Sequence, residues 1–168
     1  MSGQPHALPT RDTARALVFD PANRLLLIQY EAVRDVDPAR PGLRAFWFTP
    51  GGGMEEGETP EAALQRELDE EIGVADAPLG PWIARREAAF TLFRQARFVR
   101  ERYAVVRLPS AAIDTARLAE TEDNPVLDVR WWDLEALSVS DAVVEPESLV
   151  TLARRVAAGD LPRDPVVL

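Results

Sequence analysis

The chain has 168 residues, a formal net charge of −9, and 46% hydrophobic and 28% charged residues. These totals fit one soluble domain with a real core rather than a disordered segment, and the acidic balance argues against stable nucleic-acid binding or an anionic membrane partner. Cysteine and lysine are absent, and the only histidine, His6, sits in a polar, proline-flanked N-terminus. Disulfides, thiolate chemistry, Cys-ligated zinc, Schiff bases, a Walker-type phosphate loop and histidine base catalysis thereby lose their essential residues. Carboxylates and arginines remain as the chemical toolkit. No basic region precedes an apolar run at the N-terminus, and no stretch approaches the roughly 18 apolar residues of a membrane span. A cytoplasmic location is the expectation.

Residues 1–11 are polar and contain two prolines, which reads as a flexible tail. Thr13 to Phe19 is β-prone, Asp20 to Asn23 has turn chemistry, and Arg24 to Tyr30 is a second strand, so the two read as a hairpin. Leu25 to Ile28 is a continuous apolar run, the mark of a strand buried on both faces. Glu31 to Leu43, with Pro38, Pro41 and Gly42, reads as a surface loop. Ala45 to Thr49 returns to strand and feeds Pro50 and three glycines, which permit a tight turn and close approach of a ligand to the backbone. Thr59 and Pro60 are an N-cap and a first helical position, and Gly73 closes the helix they start.

Two long strands follow, Trp82 to Leu92 and Arg97 to Leu108, around a turn near Arg94 and Gln95. Pro109 to Asn124 is mixed. Val126 to Trp132 is a strand that puts Trp131 and Trp132 on opposite faces, Asp133 to Leu137 a helical turn, and Glu147 to Ala158 a helix ended by Gly159. Residues 12–160 form one domain on this reading, and 161–168 a C-terminal tail.

The chemistry concentrates between Gly52 and Val74. On a helix of about 100° per residue, Glu67, Glu70 and Glu71 fall in a sector roughly 100° wide, beside an apolar stripe of Leu64, Leu68 and Ile72. Like charges so close repel, and hard oxygen donors in that pattern suit Mg²⁺ or Mn²⁺. A solvated acidic face is the alternative for such a cluster taken alone. Arg66 is placed to orient a carboxylate or contact a phosphate.

The spacing goes further than the cluster. Gly52, five residues, Glu58, seven residues, then Arg66-Glu67-Leu68-Asp69-Glu70-Glu71-Ile72-Gly73-Val74 resembles the Nudix box, G-x5-E-x7-R-E-U-x-E-E-x-G-U with U aliphatic, at every defined position. The strand entering the box and the VRWWDLEAL segment are also similar to what family members carry. The resemblance implies an α+β Nudix fold, an α/β/α sandwich around a central mixed sheet. It implies metal-dependent hydrolysis of a diphosphate linkage in a nucleoside diphosphate-X or nucleoside triphosphate, with Mg²⁺ or Mn²⁺ as cofactor. Glu67, Glu70 and Glu71 would be metal ligands, and one of them, or a late-loop carboxylate, the general base. Arg66 would orient Glu67, Glu58 would support the loop or join the metal shell, and Gly52 and Gly53 would approach the pyrophosphate. A non-catalytic nucleotide-sensing module of the same fold is the alternative.

Outside the box, Glu122 and Glu120 are the late-loop candidates for the base, against a reading as solvated acids. Arg85 and Arg97, in a run of arginines after the box, could bind a terminal phosphate, or belong to a solvent-facing sheet paired with Glu87 and Glu101. Trp47, Trp82, Phe90 and Phe93 could stack on a base or fill the core. An isoprenoid-diphosphate isomerase would need a cysteine, and the proline that marks many ADP-ribose hydrolases is Phe90 here. A homodimer is compatible with the resemblance, and the residues after Gly159 do not decide it.

Overall fold

The computed structural model describes residues 8–92, 95–121 and 124–168. In chain order the elements are β1 (Thr10–Phe19), β2 (Leu25–Glu31), β3 (Ala45–Phe48), β4 (Gly51–Gly53), α1 (Pro60–Ile72), β5 (Leu79–Leu92), β6 (Gln95–Arg107), α2 (Leu118–Thr121), β7 (Val126–Trp132), α3 (Leu134–Val139), α4 (Ser148–Ala157) and β8 (Val166–Val167). The strands form one mixed sheet in the order β3-β2-β1-β6-β5-β8, with β4 added to β1 and β7 to β2. The β1–β6 and β5–β8 pairs are parallel and the others antiparallel. This is the α+β sandwich expected, with helices on both faces. Among the described residues no helix is long and apolar enough to cross a membrane.

Strand alternation explains the two cores. Leu17, Phe19, Tyr103 and Val105 point to one face and pack with Leu149, Leu152 and Val156 of α4. Ala14, Ala16, Val18, Ala104 and Val106 point to the other and pack with Leu64, Leu68 and Ile72 of α1. Leu25, Leu26, Leu27 and Ile28 are all 0% exposed, as an uninterrupted apolar strand between two layers requires. Trp132 joins the α4 side and Trp131 the α1 side.

β1 and β2 share only the Phe19–Leu25 pair and then diverge. The edge of β1 that this leaves open is taken by β4, in the register Thr13–Gly53, Ala14–Gly52, Arg15–Gly51. The glycine turn is thus stitched to the central strand and laid over the carboxylate edge of α1.

Both chain ends differ from expectation. β1 begins at Thr10, because parallel pairing with β6 extends to Thr10–Phe98, and Asp12 accepts two hydrogen bonds from Arg100 (2.7 and 2.8 Å). At the other end Val166 and Val167 form β8 beside Ala84 and Arg85, and the Leu168 N–H donates to the Arg85 carbonyl (3.0 Å). Each short segment becomes a strand by completing the edge of a longer one. The turn expected at Arg94 lies outside the described residues.

The burial pattern sets two stability outcomes. Leu27→Ala opens a cavity in a site with 0% exposure and is expected to cost about 2–5 kcal/mol. Val139→Ala, at 84% exposure, is expected to stay within about 0.5 kcal/mol of wild type. Urea denaturation checks both, and equal midpoints for the two variants would contradict the packing described.

Candidate functional site

Helix α1 is fixed at both ends before it does any chemistry. Thr59 caps its start by accepting from the Ala62 N–H (3.1 Å), with Pro60 in the first turn. Gly73 ends it in the left-handed region (φ 70°), donating its N–H to the Asp69 carbonyl (3.0 Å). The fixed rotation turns Leu64, Leu68 and Ile72 to the sheet. It also turns Glu67 (9% exposed) and Glu71 (0% exposed) inward beneath the glycine turn, while Glu70 stays on the rim.

The turn is shaped to receive them. The Gly51 N–H donates to Glu71 Oε2 at 2.8 Å. A Cβ on Gly52 would lie 2.7 Å from the Glu67 carboxyl carbon, so any other residue there would push that carboxylate from its place. A Cβ on Gly53 would meet the Arg11 guanidinium at 2.5 Å. Gly51 itself has φ 128°, a region L side chains rarely adopt.

Arg66 ties the loop to the helix. Its Nε and Nη2 donate to the two oxygens of Glu58 (2.7 and 3.0 Å), and Nη2 also to the Gly53 carbonyl (2.9 Å). Its Nη1 donates to Glu67 Oε1 (3.0 Å) and, more loosely, to Glu70 Oε2 (3.5 Å). Arg66 thus contacts Glu67, the residue that the box implies it orients. Glu58 holds Arg66 and accepts from the Glu55 N–H (3.2 Å). The Arg66 hydrogen bond, with smaller help from the backbone, holds the Glu58 carboxyl below its ordinary range, and Glu58 in turn raises the Arg66 guanidinium.

The donor set suits a hard divalent cation. Glu67, Glu70 and Glu71 offer carboxylate oxygens along one helix edge, and the missing Cβ of Gly52 leaves the Glu67 carboxylate its place. Among the described residues no three acidic groups converge closely enough to cage an ion by themselves.

The structure brings Gly52, Gly53, Glu58, Arg66, Glu67, Glu70 and Glu71 together. Trp47 is elsewhere. It is 4% exposed, packs edge-on against Trp132 at 5.2 Å, and fills the core beneath α4, so its ring is closed to a base. Arg85 and Arg97 leave opposite faces of the sheet, since Arg85 pairs with Arg102 and Arg97 shares the row of Val99, Glu101 and Tyr103. One phosphate cannot engage both from these positions. Glu122 lies outside the described residues. The segment before it is anchored at α1, where Arg117 donates to the Asp69 carbonyl (2.6 Å) and pairs with its carboxylate (3.0 Å).

Sequence reasoning missed Arg15, and it named Glu101 only within one of two alternatives, as a partner on a solvent-facing sheet. Glu101 is 2% exposed and pairs with Arg15 at 2.9 Å. An arginine inside the apolar stretch Thr13 to Phe19 was the available signal.

The Glu58 shift fixes a pH dependence. Its folded pKa lies below the unfolded value, so its ionic contribution is complete above the ordinary 4.5 and disappears as pH falls through the lower folded value. In thermal scans from about pH 7 to about pH 3, the Tm gap between wild type and Glu58→Gln is expected to close at the acid end. A gap that stays constant over that range would refute the assignment.

With this geometry in view, the chain can be set beside known proteins. Over 61 residues it is 39% identical to an 8-oxo-dGTP diphosphatase of Proteus vulgaris, covering 36% of this chain and 48% of that protein. Over 34 residues it is 62% identical to an RNA pyrophosphohydrolase of Sulfurovum sp. (strain NBC37-1), covering 20% and 22%. The matches thus span less than half the length of either relative. The crystal structure of a MutT protein from Methanosarcina mazei Go1 superposes with a TM-score of 0.61 at 17% identity, covering 94% of this chain and 99% of that one, which shows a shared fold. The NUDIX domain model matches residues 9–153, and with its box assembled as described, this chain belongs to the Nudix family.

Proposed function

We propose that this protein hydrolyses a diphosphate linkage in a nucleoside diphosphate-X or nucleoside triphosphate, with Mg²⁺ or Mn²⁺ bound by Glu67, Glu70 and Glu71. The observation that carries the reading is the Arg66 fork. One guanidinium binds Glu58 through two nitrogens and steadies Glu67 and Glu70 with the third. A protein that only sensed nucleotides would have no physical need to gather three mutually repelling carboxylates and an arginine to orient them.

A cation held by these carboxylates supplies neutralisation of charge on the bridging phosphates and lowers the pKa of water. The remaining work falls to the chain. The backbone of Gly52 and Gly53 borders the pyrophosphate without side chains in the way. Arg66 keeps the Glu67 carboxylate aimed, and Glu58 keeps Arg66 in place. The proton of the attacking water goes to a carboxylate. Glu122 is our choice, with Glu67 and Glu70 as the alternatives within the box. Only one of Arg85 and Arg97 can serve the substrate, because they leave opposite faces of the sheet.

The acidic net charge favours a small nucleotide over a nucleic acid as substrate, in the cytoplasm. The names of the two relatives put 8-oxo-dGTP and an RNA beside ordinary nucleotides in a test panel.

Phosphate or pyrophosphate release from that panel with Mg²⁺ is the expected result. It should be abolished by Glu67→Gln and by Glu71→Gln, and lowered at least about tenfold by Glu122→Gln. Gly52→Ala is expected to lose activity as well, since its Cβ would intrude on the Glu67 carboxyl (2.7 Å). Nucleotide binding without release from any substrate would favour the sensing module, and wild-type turnover in Glu122→Gln would remove that residue from the site.

A further inference from the structure

Arg15 stands in the middle of an apolar strand and turns into the molecule; its side chain is 15% exposed. Its Nη1 donates to the carbonyls of Thr49 (3.0 Å) and Gly51 (3.3 Å), and its Nε donates to Glu101 Oε1 (2.9 Å). The guanidinium carbon lies 3.9 Å from the centre of the Phe48 ring. The other oxygen of Glu101 accepts from the Tyr103 hydroxyl (2.7 Å) and from Arg86 (3.4 Å). Burial, reinforced by Glu101, pushes the Tyr103 phenol well up, so it remains a donor. A planar fork bonded along two edges and stacked on a ring has one orientation available.

That orientation matters at Gly51. The residue sits at φ 128°, where a Cβ would come within 2.3 Å of the Ala14 carbonyl oxygen. A glycine backbone is permissive, so neighbours must fix the peptides on both sides of it: its N–H lies in the peptide whose Pro50 carbonyl accepts from the Ala16 N–H (3.0 Å), and its carbonyl lies in the next peptide. Arg15 holds its carbonyl, and its N–H holds Glu71 Oε2 at 2.8 Å. A single residue therefore joins the Arg15 guanidinium to the fully buried carboxylate of the box.

We propose that Arg15 is a positioning residue for Glu71: clamped by Glu101 and Phe48, it fixes the Thr49 and Gly51 carbonyls, in the peptides on either side of the one that Ala16 holds, and so keeps the Gly51 N–H aimed at the Glu71 carboxylate. Arg15 touches no reacting atom. The inference rests on the proposed role of Glu71 as a ligand of a divalent cation. Lysine cannot substitute, because a single ammonium does not span Glu101 and two carbonyls in one plane. Partners one step removed from a metal ligand typically govern about 10–100-fold in metal affinity or activity.

The test compares wild type with Arg15→Lys, Glu101→Gln and Val156→Ala, the last a cavity variant in the α4 core (0% exposed) that leaves the network intact. Hydrogen exchange at the Gly51 amide is read without metal, Mn²⁺ affinity by electron paramagnetic resonance, and kcat and KM with Mg²⁺. In Arg15→Lys and Glu101→Gln, Gly51 exchange is expected to quicken, Mn²⁺ affinity and kcat to fall by at least about tenfold, and KM to change little. Val156→Ala is expected to lower Tm with none of these changes. Wild-type exchange and Mn²⁺ affinity in both charge variants would overturn the proposal, as would losses in all three variants that simply track Tm. If Arg15→Lys fails to fold, Glu101→Gln carries the decision. If no nucleotide is cleaved by wild type while exchange and Mn²⁺ affinity shift as expected, the hydrolase reading fails and the positioning role stands.

Discussion

Gathering several carboxylates within one turn of a helix is the constraint around which this protein is built. Two exposed like charges at helical spacing cost only a few tenths of a kcal/mol. Here Glu71 is fully buried and Glu67 nearly so, and burying an unpaired carboxylate costs several kcal/mol. The structure offsets that cost with donors rather than with distance. Arg66 gives one nitrogen to Glu67 and Glu70 and two to Glu58, and the Gly51 amide meets Glu71. The carboxylates are thereby held together and oriented.

The rest of the fold serves this arrangement by placing a backbone turn over a helix edge. β1 is the central support. It pairs in parallel with β6 along its whole length, gives up β2 after one residue pair, and accepts β4 on the edge so exposed. The glycines of β4 are required for different reasons. Gly51 needs its φ, while Gly52 needs the absence of a side chain where the Glu67 carboxylate lies. The two apolar layers then lock the sheet between α1 and α4, so that neither the turn nor the helix can drift relative to the other.

On the proposed reading this division separates the reaction from the choice of substrate: Glu122 apart, the groups assigned to the diphosphate lie on α1, its preceding loop and β4. Aromatic and arginine residues outside that unit are distributed by the needs of packing. Trp47 fills the α4 core, Phe48 lies against Arg15, and Arg85 and Arg97 are split between faces. Different members of a fold family can keep one catalytic unit and vary the surroundings in this way.

The sequence by itself determined what depends on local spacing. The box residues, the Thr59 cap, the Gly73 stop, the doubly buried Leu25 to Ile28 run and the opposed faces of Trp131 and Trp132 all follow from offsets of a few residues, where helix and strand periods dictate geometry. Tertiary structure alone decided what depends on pairing between distant segments. Arg11 and Asp12 became strand because β6 extends beside them, and residues 166 and 167 because β5 offered an edge. Glu101 became a buried anion because Arg15, 86 positions away, lies on the neighbouring strand. Periodicity tells which side chains share a face; it does not tell what covers that face, and burial is a property of the cover.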